Sequence, residues 1–103
     1  MMSEVRRLVL DVLKPHQPTM LVLADKLGDL EGIHGVDITL IEIDNRVENI
    51  KITLEGDDID FQDVAEVVQD AGGSVHSIDK VSTGKRLIDE VETPQDGGPN
   101  WLR

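Results

Sequence analysis

The side chains of this chain that could hold or move charge are acids and histidines. It has thirteen aspartates, three histidines and no cysteine. Without cysteine there is no disulfide, no thiolate nucleophile and no thiolate zinc site. Ser3, Ser74, Ser77 and Ser82 are not flanked by the glycines of a nucleophile elbow, and no phosphate-binding glycine loop or dinucleotide fingerprint occurs. What remains is one set of candidates: Asp11, His16, Asp44 and His76, with Glu42 and Glu48 close in sequence to Asp44. Carboxylates with imidazoles suit a divalent cation. Oxygen ligands favour calcium or magnesium, and the histidines favour a transition metal. The plainer alternative is a solvated acidic rim whose histidines are hydrogen-bonded to loop backbone. The run Asp57-Asp58-Ile59-Asp60 lacks the spaced ligands and terminal glutamate of a calcium loop, and Asp60 reads as a helix cap.

Those candidates meet only if the surrounding elements bring them together. From Val5 to Lys14 the apolar residues alternate, with Leu8, Leu10 and Val12 on one face, which is the period of a strand. Pro15 and Pro18 end it. Thr19 caps a helix with Met20, Leu23, Ala24, Leu27 and Leu30 at three- and four-residue spacing, stopping near Gly32. A second strand starts at Gly35, with Val36, Ile38 and Leu40 inward. Its phase then slips to Ile41 and Ile43, as at a bulge. After a turn at Asp44-Asn45-Arg46 a third strand carries Ile50, Ile52 and Leu54 inward. Asp60 opens a second helix with the stripe Phe61, Val64, Ala65, Val67, Val68 and Ala71, closed by Gly72-Gly73. Val75 to Val81 forms a fourth strand, and Arg86 to Val91 returns as a short fifth after a loop at Ser82-Thr83-Gly84.

Strand, helix, strand, strand, helix, strand is the α+β ferredoxin-like sandwich. Right-handed crossovers give an antiparallel sheet ordered 4-1-3-2 with both helices on one face. Residues 1–92 make this single domain, and 93–103, with Pro94, Gly97, Gly98 and Pro99, make a flexible tail. In this order the end of the first strand lies beside the starts of the third and fourth. Asp11, His16, Asp44, Glu48 and His76 then share one rim. The opposite rim collects Asp29, Glu31, Glu55, Asp57, Asp58 and Asp60. The face without helices carries Val5, Val9, Leu13, Ile41 and Ile43, an apolar group that predicts self-association.

The segment Leu10-Asp11-Val12-Leu13-Lys14-Pro15-His16, followed by Glu42-Ile43-Asp44, Ile50-Lys51-Ile52 and His76-Ser77-Ile78-Asp79, resembles an uncharacterised archaeal family, the domain of unknown function numbered 211. The resemblance covers about residues 4 to 84. It implies a ferredoxin-like fold and an archaeal origin, and it supplies no activity and no catalytic residues.

Charge narrows the partners. Ten basic residues against 21 acidic ones give a net charge of −11. Such a surface repels phosphate backbones and anionic membranes, so no nucleic acid and no membrane is expected as a partner. With no apolar run long enough to span a bilayer and no signal core, a cytoplasmic protein is expected. The functional expectation is a homo-oligomeric binding module that senses or holds a divalent cation or a small ligand. The alternatives are a small enzyme with an acidic site at a subunit edge and a ligand-free scaffold protein. No cofactor is assigned beyond that cation. Self-repulsion at −11 is screened over about 3 Å at 1 M salt. Melting temperature is therefore predicted to rise between low and molar sodium chloride. A flat or falling melting temperature would remove salt adaptation as the reason for the charge.

Overall fold

The computed structural model describes residues 4–88. Six elements follow in the order read from the sequence: β1 (Val5–Pro15), α1 (Met20–Gly28), β2 (Ile33–Ile43), β3 (Val47–Gly56), α2 (Phe61–Asp70) and β4 (Ser74–Thr83). The sheet order is β2-β3-β1-β4 and every pairing is antiparallel. This is the ferredoxin-like sandwich expected.

Residues directly opposite each other in adjacent strands project from the same face. The registers therefore define rows that cross the whole sheet. On the helix side they are Val36–Leu54–Leu8–Val81, Ile38–Ile52–Leu10–Ile78 and Leu40–Ile50–Val12–Val75. The two central strands supply six members of the buried core: Leu8, Leu10, Val12, Ile50, Ile52 and Leu54. Leu23 and Leu27 of α1 and Val64 and Val68 of α2 cover them. Each buried leucine contributes about 1.5–3 kcal/mol.

Local chemistry sets the helix ends. The Thr19 hydroxyl accepts the Val22 amide at 3.4 Å, and the Asp60 carboxylate accepts the Gln62 amide at 2.9 Å. Past α2, Gly72 has φ +81°, the left-handed conformation that ends a helix at low cost for glycine. Gly56 answers a different need. A Cβ there would stand 1.9 Å from the Gly32 carbonyl oxygen, where β3 ends beside the entry to β2.

Extra residues in three of the four strands alter the expected faces. One at Ile41 shifts β2 against β3, at the phase slip read from the sequence. Another at Arg6 lies between the pairs Val5–Thr83 and Arg7–Ser82 and turns Val5 onto the helix side, where it packs against the core. Ile43 stands opposite Glu48, on the same face as Lys14. So Val5 and Ile43 leave the face without helices, which the sequence had assigned them. That face is instead largely polar: Arg7 pairs with Glu55 at 2.8 Å, and Asp11 stands opposite Lys51. Exposed apolar side chains of the sheet lie mostly at its edges, Leu40, Ile41 and Ile43 on β2 and Ile78 and Val81 on β4, while Leu13 stays exposed on the face without helices and Leu21 and Val22 are exposed on α1. Of the expected fifth strand, Arg86–Ile88 is not in strand conformation, and the rest lies outside the described residues, as does the tail 93–103.

Leu10→Ala, at a side chain with no exposure, is predicted to cost about 2–5 kcal/mol. Gly56→Ala is predicted to destabilise through the Gly32 contact. Denaturant midpoints measure both, and an unchanged midpoint for either would mean that the packing described around it is wrong.

Candidate functional site

The next helix-side row after the three apolar ones is Ile43–Glu48–Lys14, and it is charged. Lys14 continues the inward phase of Leu8, Leu10 and Val12, and Glu48 that of Ile50, Ile52 and Leu54. Lys14 is 1% exposed, the one buried charged residue among those described. Its ammonium donates to the Pro18 carbonyl at 2.7 Å and the Pro15 carbonyl at 2.9 Å and forms an ion pair with Glu48 Oε1 at 2.8 Å. A buried ammonium is tolerated only when it is paired and hydrogen-bonded in this way.

Glu48 is the hub. Its second oxygen meets His16 Nδ1 at 3.1 Å. One carboxylate thus ties the end of β1 and the β1–α1 loop to the start of β3. Hydrogen bonding to Glu48 raises the His16 imidazole above its usual 6.5, and backbone hydrogen bonds at Asn45 and Asp44 add to this against partial desolvation. Hydrogen bonding to Lys14, then to His16, lowers Glu48 below its usual 4.5.

The other candidates have separate partners. Asp44 Oδ1 accepts the amides of Val47 at 2.9 Å and Arg46 at 2.8 Å, closing the β2–β3 turn, and these amides hold its carboxyl below the usual range. Asp11 projects to the face away from Lys14 and Glu48, where Asn49 donates to its carboxylate. His76 is exposed, the extra residue of β4 between the pairs Asp11–Ser77 and Val12–Val75. The rim therefore brings His16, Glu48 and the Asp44 turn together and leaves Asp11 and His76 apart from them. Among the described residues no group of three or more histidine, aspartate or glutamate side chains is arranged to hold a metal ion. Lys14 was missed as a site residue, although its phase with Val12 and the matching phase of Glu48 with Ile50 were both readable.

At the opposite rim Arg6 pairs with Glu4 at 3.0 Å and with Asp57, and His34 lies 3.3 Å from Asp57. In this acidic cluster Arg6 supplies Asp57 with a counter-charge. No described helix is long and apolar enough to cross a membrane.

Glu48→Ala leaves the Lys14 ammonium buried without its counter-charge and is predicted to cost about 3–5 kcal/mol. Lys14→Met leaves Glu48 Oε1 buried beside an apolar side chain, with His16 still on the other oxygen, and is also predicted to destabilise. The pH dependence has two limbs. Glu48, lowered on folding, contributes stability that is fully present above 4.5 and lost as pH falls through its folded value. His16, raised on folding, contributes stability that is fully present below 6.5 and lost as pH rises through its folded value. Both contributions coexist between 4.5 and 6.5, and His16→Gln is predicted to flatten the alkaline limb. Urea unfolding against pH measures this, and an alkaline limb unchanged in His16→Gln would assign it to another group.

Two comparisons with known proteins bear on the family of the chain. The model of the uncharacterised ArCR family, domain of unknown function 211, matches residues 6–97. An uncharacterised protein of Methanocaldococcus jannaschii is 50% identical over 95 residues, covering 92% of this chain and 98% of that one. The match spans both halves of the sandwich, from Arg6 past the end of β4, and the chain belongs to this archaeal family of unknown function.

Proposed function

We propose that the chain is the subunit of a homo-oligomeric binding module, associating through the edges of its sheet and holding a cation or a small ligand. The observation that carries the reading is the position of the exposed apolar residues. Within the sheet they sit mainly on the two edge strands, with Ile41 54% exposed, Ile43 55%, Ile78 49% and Val81 51%, against 37% for Leu13 on the face without helices. Both edge strands are long, with 11 residues in β2 and 10 in β4. Long apolar edges with unpaired backbone groups are where a sheet recruits another strand. A monomer that left them in water would be prone to uncontrolled aggregation.

The polar groups support binding over catalysis. The His16 imidazole is engaged by Glu48, and the Lys14 ammonium is enclosed by three oxygens, so neither is poised against a nucleophile. The net charge of −11 favours cations as ligands. A divalent ion at Asp11, His16, Asp44 and His76 is a separate proposal. It requires carboxylates that already accept hydrogen bonds to be shared with the ion.

Light scattering at micromolar concentration is predicted to give at least twice the 11.4 kDa chain mass. Ile41→Asp combined with Ile43→Lys, both at exposed positions, is predicted to lower that mass. A monomer for the unaltered chain would contradict the proposal. For the cation, calorimetric titration of chelator-treated protein with calcium, magnesium, manganese and zinc is the test. Saturable heat that Asp11→Asn with Asp44→Asn abolishes supports the ion. Its absence removes the ion and leaves the assembly standing.

A further inference from the structure

Past β4 the chain leaves the sheet at the mouth of a cleft. Gly84 turns there with φ +124°, its amide donating to the Glu4 carbonyl at 2.9 Å and its carbonyl accepting from Arg6 Nε at 2.9 Å. The same guanidinium pairs with Asp57. Asp57 and Val5 line a cavity of about 740 Å³ at the rim opposite Lys14 and Glu48. Clefts that hold a ligand are typically about 300–1,000 Å³. Backbone hydrogen bonds fix the walls: the Asp57 amide donates to the Gly32 carbonyl at 2.8 Å and the Ile59 amide to the Val5 carbonyl at 3.0 Å. The cleft is therefore shaped before anything enters it. Its lining is of two kinds. Val5, Ile59 and Phe61 are apolar, and Glu31, Asp58 and Asp63 are acids. Asp57 has Arg6 and His34 beside it, and Asp60 caps α2. Among the described residues no ion pair reaches Glu31, Asp58 or Asp63. An occupant that matches this lining is apolar and carries a cation. We infer that the cleft is the docking site of the chain's own residues 97–103, with Trp101 and Leu102 on the apolar lining and Arg103 among the acids.

Charge, reach and position favour this occupant. The stretch 89–96 holds Asp89, Glu90, Glu92 and Asp96 and no base, whereas 97–103 holds Arg103 and no acid. In a chain of net charge −11 an acid-free stretch with a tryptophan, a leucine and an arginine is the part that an acidic, partly apolar cleft attracts. The acidic stretch before it serves as a solvated connector, and Pro94, Gly97, Gly98 and Pro99 let it double back. Thirteen residues, Asp89 to Trp101, span up to about 43 Å when fully extended. Arg6 touches both Gly84 and Asp57, so the cleft lies within one side chain of the point where this connector departs. A short tether of that kind gives an effective concentration on the order of millimolar. The competing groove, lined by Leu21, Ala24 and Val36, lies at the β2 edge, across β3 and β1 from β4. Docking at the cleft closes it with the chain itself, and any basic ligand reaching this rim has to displace Arg103.

Trp101 is the one tryptophan and the chain has no tyrosine, so its fluorescence reports on this segment directly. At fixed salt the emission of the folded full chain is expected to be blue-shifted from that of the urea-unfolded chain and shielded from acrylamide. Arg103→Glu, and separately Glu31→Gln with Asp63→Asn, should return both readings toward the unfolded values while the far-ultraviolet circular dichroism stays unchanged. Arg103→Glu combined with Glu31→Lys and Asp63→Lys should recover the blue shift, which a general loosening of the fold would not do. Folded-state emission equal to that of the unfolded chain would overturn the inference. So would a blue shift that Arg103→Glu and the cleft variants leave unchanged, because the indole would then pack elsewhere. The chain has no cysteine, so introduced thiols show whose segment docks. Mild oxidation of the chain carrying Asp63→Cys and Arg103→Cys is expected to close a disulfide within one chain. Covalent dimers and multimers in its place would overturn docking by the chain's own segment and give the cleft to that of a neighbouring copy.

Discussion

Everything in this sandwich is arranged around β1, whose inward side chains form the middle of each row crossing the sheet. Leu8, Leu10 and Val12 are buried between β3 and β4 neighbours and beneath both helices. With only one aromatic among the described residues, Phe61, the core is built from branched aliphatic side chains in register. Such side chains pack by shape, and a register slip of one residue would turn each row onto the wrong face. The bulges show where this constraint gives way. An extra residue at Arg6, His34, Ile41, His76 or Asp79 moves the strand's phase without breaking the rows between them.

The Lys14–Glu48 pair closes the stack of rows. In place of a fourth apolar layer it sets an ammonium paired with Glu48, tying the β1–α1 loop down through the Pro15 and Pro18 carbonyls. His16 is brought to the same carboxylate from that loop. A buried ion pair is weak evidence for net stability, because desolvation offsets much of the attraction. Its firm consequence is geometric: with Lys14 inward, Glu48 is the carboxylate that must face it, which fixes the β1–β3 register at the rim.

Much of this was legible in the sequence. The period-two runs of Leu8–Val12 and Ile50–Leu54, the caps Thr19 and Asp60, and the slip at Ile41 each follow from local chemistry that reads the same in any fold. The rim was legible in sequence as a neighbourhood and not as a geometry. Topology places Asp11 and His16 at one end of the sheet, but the pleat sends Asp11 to the opposite face from Glu48. Lys14 was passed over because a lysine at the end of a strand is ordinarily solvated, and only its partner's matching phase marks it as buried. The Arg6 bulge had no local signal. Val5, Arg7 and Val9 keep an unbroken alternation in the sequence, and the flip of Val5 depends on its pairing with Thr83.

The edges connect this architecture to a role. The helix-side rows end in apolar side chains at both margins, and in the proposed assembly a second copy covers them. Amide hydrogen exchange tests that account most directly, because the outward-facing amides of β2 and β4 have no partner strand within the described residues of one chain. In the assembled protein the account predicts protection of those amides comparable to that of β1 and β3, lost on dilution or in the Ile41→Asp, Ile43→Lys variant. Rapid exchange along both outer edges at every concentration, with β1 and β3 still protected, would contradict it.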